Sequence, residues 1–373
     1  MNVLWLSWKD NKHPLAGGAE VVSTELRERL VKDGHNVRLL TSKPEGLKSY
    51  ETTNGVGIVR NGGKYSVYYE SKKYFKKNMQ KWPDLIIDEM NTLPFFGYQY
   101  SSKPTLLLTY QLARKVWFYQ MMFPLSAIGY FLETIYLRFI SKKYLLTLTE
   151  SNSTKIDLIK HGFNTEDIRV FRVGMDIEPI NHLHTNRPKN KILFLGSVRP
   201  MKRTLHAVKA FEIARDNNTD IRLDIVGDYS GPYGTRVYNH VQSSRHKEAI
   251  KFHGKVSLKE KQSILKSSSI ILITSIKEGW GLIATEAAAY GVPAVAYNVD
   301  GLRDSIIDNE TGLLAPSGDI KALSSAICNI LNDREKLERM GRNALENSKQ
   351  YTFENSYSDF VKTINRVMEK NEE

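Results

Sequence analysis

One cysteine, Cys328, stands in 373 residues. That excludes an intramolecular disulfide and a cysteine-based zinc cluster, and it fits a reducing compartment. The nine histidines are scattered without metal-ligand spacing. No carboxylate-x-carboxylate element stands out as a divalent-cation site, so metal-independent, cofactor-free chemistry is expected. The G-x-G-x-x-G fingerprint is missing as well, which argues against a nicotinamide dehydrogenase. Long apolar runs are lacking. Residues 1–6 are apolar, but Trp8-Lys9-Asp10 interrupts them short of a secretory h-region, and no small-residue cleavage site follows. Residues 116–140 form the most apolar long stretch, yet they include Gln120, Pro124, Glu133 and Arg138, so an uninterrupted membrane span is not expected. The expectation is a soluble or peripheral protein.

What is present is globular in composition, with 41% hydrophobic and 25% charged residues. The length suits two domains of roughly 180 residues each. Lys and Arg number 53 against 41 Asp and Glu, a net +12. Such a balance favours anionic partners: nucleotides, phosphosugars, acidic membranes or nucleic acid. No nucleic-acid module is recognisable and the charges are well mixed, so no nucleic-acid partner is expected.

Short apolar runs of strand length (3–6, 37–40, 85–87, 106–108, 145–148) alternate with amphipathic segments such as 19–32 and 151–160. That alternation predicts parallel sheets covered on both faces. A polar stretch without apolar period, 181–190, reads as a linker. The alternation restarts with strands at 192–195, 223–226, 250–252, 270–273 and 294–296, separated by helical segments. The predicted fold class is α/β: two Rossmann-like domains facing a cleft, an N-terminal one over 1–182 and a C-terminal one over 183–352. A helix at 353–370 carries Phe353, Tyr357, Phe360, Val361 and Ile364 on one side, a stripe suited to packing back on the first domain.

Three segments carry chemistry. The first, Pro14-Leu15-Ala16-Gly17-Gly18-Ala19-Glu20, joins a strand to a helix. Gly17 and Gly18 would let backbone N–H groups face a phosphate at the helix N-terminus; a plain tight turn is the alternative. The second, Gly196-Ser197-Val198-Arg199-Pro200-Met201-Lys202-Arg203, puts three cations at the carboxyl end of a strand. There they would neutralise a diphosphate, in the ground state and on departure; a solvated basic loop is the alternative. The third is the most specific: Lys277-Glu278-Gly279-Trp280-Gly281-Leu282, followed by Glu286 in a small-residue helix ending at Gly291. Glu278 in the turn and Glu286 in the helix could face one cleft at different depths. Each carboxylate can accept two hydrogen bonds from paired sugar hydroxyls.

Taken in order, these segments, with Gly291-Val292-Pro293 and Thr311-Gly312-Leu313-Leu314, resemble the retaining glycosyltransferases of the family-four type with the GT-B fold. The resemblance covers nearly the whole chain. It implies that Lys202 contacts the donor diphosphate, Glu278 the transferred sugar and Glu286 the nucleotide ribose, with Gly17 and Gly18 lining the cleft from the other domain. It implies donor contacts as well for Gly196, Ser197, Arg203, Gly279, Trp280, Gly281 and Leu282. Two departures stand out. Ser197 occupies a position where the family often has arginine; Arg199 or Arg203 would supply the cation, and Arg199 is nearer in sequence. After the 106–109 strand, Tyr110-Gln111 stands where the family often has a histidine.

Acceptor candidates lie in the N-terminal half. Asp88 and Glu89 end a strand and would face the cleft; Tyr110 and Gln111 are further candidates. Lys72, Lys73, Lys76, Lys77 and Lys81 cluster with Tyr68, Tyr69, Tyr74, Phe75 and Trp82, and Arg114-Lys115-Val116-Trp117-Phe118-Tyr119 and the apolar stretch to Ile140 follow. The mixture fits an anionic membrane interface; a solvated helix face over core aromatics is the alternative. The expected function is hexosyl transfer from a UDP- or GDP-sugar to a glycan or lipid-linked acceptor, in the cytoplasm or peripherally on the inner face of the membrane. The alternative is a non-catalytic nucleotide-sugar-binding subunit.

Overall fold

The computed structural model describes residues 1–183 and 190–372. The chain forms two compact units: residues 1–115, 127–174 and 351–373, and residues 116–126 with 175–350. The division falls at Gly174/Met175 rather than at 182, and for a physical reason. Met175 and Ile177 are buried in the second unit's core, and the Ile180 N–H donates to the Ala289 carbonyl at 3.0 Å. Of the predicted linker, residues 184–189 lie outside the described residues.

The first unit is built on eight strands: β1 (Asn2–Leu6), β2 (Asn36–Thr41), β3 (Tyr50–Thr53), β4 (Val56–Arg60), β5 (Leu85–Met90), β6 (Thr105–Thr109), β7 (Leu146–Thr149) and β8 (Ile168–Val170). Their order is β3-β4-β2-β1-β5-β6-β7-β8, and only β3 runs antiparallel, against β4. Every residue of β5, β6 and β7 is buried, which is why these strands read as continuous apolar runs instead of alternating ones. The β3–β4 hairpin escapes that reading because β3 is the polar edge sequence Tyr-Glu-Thr-Thr. Its turn is nonetheless written in the sequence: Asn54 and Gly55 take φ values of 48° and 81°, and Asn-Gly suits a turn needing two left-handed residues.

The helix Phe353–Glu372 packs on this first unit. Its buried side chains are Ser356, Tyr357, Phe360, Thr363, Ile364 and Val367, so the inward stripe is one residue to the side of Phe353 and Val361. Phe360 meets Trp5 with ring centroids 5.6 Å apart. Asp359 accepts two guanidinium N–H bonds from Arg172, both at 2.7 Å, and Tyr357 donates to Asp33 at 2.6 Å.

The second unit holds a six-stranded, all-parallel sheet: β9 (Lys191–Leu195), β10 (Arg222–Val226), β11 (Ile250–Gly254), β12 (Ile270–Ile273), β13 (Ala294–Tyr297) and β14 (Gly312–Ala315). The order is β11-β10-β9-β12-β13-β14. β9 lies at its centre, with chain crossing to β10 on one side and β12 on the other. In open α/β sheets such a reversal leaves a crevice at the carboxyl ends of the strands, and the Gly196 loop follows β9.

Two acceptor candidates are corrected by the first unit. Asp88 is fully buried. It accepts the N–H groups of Phe95 at 2.8 Å and Gly97 at 3.0 Å and the Tyr144 hydroxyl at 2.7 Å, so it shapes the turn after β5 and faces no solvent. Glu89 is fully buried too. It accepts the Trp5 indole N–H at 2.6 Å, and the buried Arg27 guanidinium stands 3.9 Å away. Neither carboxylate is placed to meet an acceptor. Burial pushes the Glu89 carboxyl up to about 7, against the pull of Arg27.

The stability of the fold therefore depends on pH through Glu89. The unfolded group ionises near 4.5 and the folded one near 7; between these values rising pH strips the proton from the unfolded chain first and favours unfolding. Relative to Glu89→Gln, the wild-type protein is expected to lose roughly 1–3 kcal/mol of stability between about pH 4.5 and about pH 8. Denaturant melts of both proteins across this range measure the difference; parallel stability curves would show that Glu89 is ionised in the fold throughout.

Candidate active site

The site residues of the second unit are assembled by backbone close contact. β9 is followed by Gly196, whose N–H donates to the Val226 carbonyl at 2.8 Å, and the Val198 N–H donates to the Asp228 carbonyl at 2.8 Å. Gly227 has φ of +141°, and a Cβ there would stand 2.1 Å from the Gly196 carbonyl oxygen. Only glycine lets the ends of β9 and β10 come so close. The chain then makes a short 3₁₀ turn, Pro200–Lys202, and enters the helix Thr204–Asn217 through Arg203.

This basic loop is stitched to the end of β12. The Thr274 hydroxyl donates to the Lys202 carbonyl at 2.6 Å, and the Ile276 N–H donates to the Met201 carbonyl at 3.0 Å. The Lys202 backbone is thereby fixed, and its ammonium reaches Glu278 Oε1 at 2.5 Å. The Ser275 hydroxyl donates to the same carboxylate oxygen at 2.5 Å. Glu278 is itself clamped: its N–H donates to the Asp300 carbonyl at 3.0 Å, and a Cβ on Gly301 (φ +80°) would fall 2.4 Å from the Glu278 carbonyl oxygen.

Glu286 follows on the helix Leu282–Ala288 and is paired with Lys261, 2.6 Å away on the helix Leu258–Lys266. Both carboxylates keep a solvent-facing fraction, 17% for Glu278 and 13% for Glu286. That separates them from the fully buried Asp88 and Glu89.

The three cations of the basic loop are not equivalent. Lys202 is ion-paired. Arg203 donates to the Tyr119 hydroxyl at 3.0 Å and to Ser317 at 3.2 Å. Arg199 is exposed, and among the described residues no hydrogen bond or ion pair holds its side chain. Ser197 beside it is exposed as well, while Gly279, Gly281 and Trp280 are buried and Leu282 half-buried. The Trp280 ring is only 8% exposed and its indole N–H donates to Thr285 at 2.8 Å. That bond props the start of the helix.

The glycine loop of the first unit also departs from expectation. The Gly17 N–H, read as a phosphate donor, is taken by the Glu20 carboxylate at 2.6 Å, and Lys9 pairs with Glu20 at 3.0 Å. Gly18 begins the helix Gly18–Lys32. Tyr110 is buried and Gln111 half-buried. In the basic and aromatic cluster, Phe75 is core and Tyr68, Tyr74 and Trp82 pack against it, while Lys73, Lys76, Lys77 and Lys81 are exposed. Of the cluster's aromatics only Tyr69 is exposed, at 67%.

Ser275 and Lys261 are the site residues that reading the sequence missed. Ser275, three positions before Glu278, lay within reach of a spacing argument. Lys261 carries no linear signal, since only the packing of its helix brings it to Glu286. Among the described residues no group of three or more His, Cys, Asp or Glu could hold a metal ion.

Two family models match the chain: Glycosyltransferase Family 4 over residues 16–179 and Glycosyl transferases group 1 over residues 178–347. A D-inositol 3-phosphate glycosyltransferase of Corynebacterium glutamicum is 29% identical over 214 residues, 53% of this chain and 51% of that protein. The chain spans about half the length of the curated relatives it matches first. Among solved structures, a sucrose-phosphate synthase from Thermosynechococcus elongatus superimposes with a TM-score of 0.81 at 21% identity, covering 99% of both chains. Anabaena HepE in complex with UDP and glucose does so at 0.73 and 16% identity, covering 98% of this chain and 99% of that one. The two parallel-sheet units, the order of the motifs and the two contiguous model matches agree: the chain belongs to the glycosyltransferases of the group 1, family 4 type, with the GT-B fold.

Proposed function

We propose that the protein transfers a hexosyl group from a UDP- or GDP-sugar to a glycan or lipid-linked acceptor, with retention at the anomeric carbon. The observation that carries this reading is the Lys202–Glu278 pair at 2.5 Å, with Glu286 on the following helix and the uncommitted Arg199 on the same loop as Lys202. Cations for a diphosphate and acceptors for sugar and ribose hydroxyls stand together at the strand ends of one sheet.

In this reading the donor opens the ion pair. Lys202 turns to the diphosphate and is joined there by Arg199, and Glu278 accepts a hydrogen bond from a hydroxyl of the sugar. Glu286 takes the ribose hydroxyls. As the bond from the anomeric carbon to the phosphate oxygen breaks, charge gathers on the diphosphate and the two cations offset it. The acceptor hydroxyl attacks from the face the nucleotide leaves, and its proton passes to the departing phosphate oxygen. Neither Glu278 nor Glu286 serves as a nucleophile of the two-carboxylate glycosidase kind; each is committed to positioning. No helix among the described residues is long and apolar enough to cross a membrane. The reading places the reaction in the cytoplasm, where nucleotide-sugars are supplied, with the protein peripheral on the inner face of the membrane. Incubation with labelled UDP- and GDP-sugars and a lipid extract tests it: binding without transfer would favour a non-catalytic nucleotide-sugar-binding subunit, a reading prompted by Ser197 and by the absence of histidine at 109–111.

Four substitutions test the assignment. Lys202→Ala is expected to lower turnover by roughly 10²–10³, the scale of removing one preorganised partner of developing charge, with the fold intact by circular dichroism; normal turnover in a folded variant would remove Lys202 from the diphosphate. Arg199→Ala should be the next most damaging change in the loop. If Arg203→Ala costs more, then Arg203 gives up Tyr119 to serve the donor. Glu286→Ala should weaken free nucleoside diphosphate by about 1–3 kcal/mol through loss of a charge-assisted hydrogen bond; calorimetry reads this directly, and unchanged affinity would place the ribose elsewhere.

A further inference from the structure

The helix Leu125–Ile140 is apolar on two sides: Leu137 and Ile140 are fully buried in a core cluster of the first unit, and a second apolar stripe turns outward. Its inward face carries Glu133, 1% exposed, whose carboxylate accepts the N–H groups of Ala113 at 2.8 Å and Arg114 at 2.7 Å. The Tyr136 hydroxyl donates inward to the Thr92 carbonyl. Its outward face carries Ile128, Phe131, Leu132, Ile135 and Phe139, between 50% and 64% exposed. A helix facing water turns its polar residues out; this one turns out a stripe of aliphatic and aromatic side chains at positions i, i+3, i+4, i+7 and i+11. Contiguous exposed apolar surface of this kind marks a place where another apolar phase is met.

The charge around the stripe says which phase. From Met90 to Thr149 the chain carries six cations, Lys103, Arg114, Lys115, Arg138, Lys142 and Lys143, and one acid, the buried Glu133. Arg138, Lys142 and Lys143 are exposed, and the Lys143 ammonium lies 5.7 Å from the centre of the Phe139 ring. Apolar side chains rimmed by cations match a headgroup layer of negative charge above acyl chains. A second copy of the same face would bring these cations against their counterparts. The helix has 16 residues, a length of about 24 Å, so it fits flat in the interface and not across it.

We propose that the outward face of the helix Leu125–Ile140 is the surface by which the protein docks on an anionic lipid bilayer. This rests on the reading that the acceptor is lipid-linked and met at a membrane, and it moves the contact away from the Lys72–Lys81 cluster, whose aromatics other than Tyr69 pack in or on the core. Ile128, Phe131, Leu132, Ile135 and Phe139 enter the acyl boundary, and Arg138, Lys142 and Lys143 meet the phosphates.

Vesicle flotation of the whole chain tests the proposal, with phosphatidylcholine mixed with phosphatidylglycerol against phosphatidylcholine alone. Wild-type protein is expected to float with the anionic vesicles and to be released as salt rises. Phe131→Ser together with Phe139→Ser should lower the partition coefficient roughly tenfold or more, and Lys142→Glu with Lys143→Glu should remove most of the salt-sensitive part. Circular dichroism and thermal melts confirm folding, and Lys76→Glu with Lys77→Glu should leave flotation unchanged. Binding indifferent to lipid charge, or unaltered by the paired Phe substitutions, overturns the proposal. So does sedimentation showing a dimer that those substitutions dissolve, which would assign the face to self-association. Transfer to a water-soluble acceptor is measured in parallel: transfer without flotation defeats this inference alone, and flotation without nucleotide binding defeats the catalytic reading alone.

Discussion

Lys202 and Glu278 lie 76 positions apart and meet at 2.5 Å, and the loops that carry them are built around this meeting. Thr274 and Ile276 hold the lysine's backbone from the end of β12, while Asp300 and Gly301 hold the glutamate's backbone from the end of β13. An ion pair as far buried as this one, each side chain 17% exposed, is weak evidence for stability, because desolvation offsets the attraction. The constraint it satisfies is chemical: two loops at the carboxyl ends of β9 and β12 must present opposite charges at one point. In the proposed function each charge acts as a placeholder, neutralising the other until a ligand offers a diphosphate to one and a hydroxyl to the other. Lys261 and Glu286, 2.6 Å apart, repeat the arrangement one helix further on.

The same residue types serve a different purpose in the first unit. Glu89, Arg27 and Trp5 are buried together, and Asp88 is saturated by backbone and tyrosine donors. No ligand can reach these groups, and their value is to the packing of β1 against β5 and the turn beyond. Exposure decides between the two uses. A carboxylate that keeps a solvent-facing edge is available for recognition; one enclosed on all sides is committed to the fold.

That difference explains what could be read from the sequence. The strands of both sheets' interiors were legible because burial on both faces leaves continuous apolar runs. The Gly196-to-Arg203 and Glu278-to-Glu286 segments were legible because glycines, cations and acids at fixed spacing carry a strong local signature. Asp88 and Glu89 were misplaced because a polar residue at a strand end reads alike whether it faces solvent or a buried turn. Trp280 was misplaced for a related reason: its burial depends on Thr285 and the helix it props. The polar strand β3 carried no apolar run, and Lys261 reaches Glu286 only through tertiary packing. The helix Leu125–Ile140 was legible as apolar; which of its faces turns inward was not, since Leu137 and Ile140 enter the core while an equally apolar stripe stays outside.

The claim that the Lys202–Glu278 pair is a placeholder for the donor is tested most directly by a crystal structure with a bound nucleotide-sugar, chosen by a thermal-shift screen of UDP- and GDP-sugars. The expected structure has the pair open, the Lys202 ammonium on the diphosphate, Glu278 on a sugar hydroxyl and Glu286 on the ribose. A donor bound elsewhere, with Lys202 still on Glu278, would contradict the account.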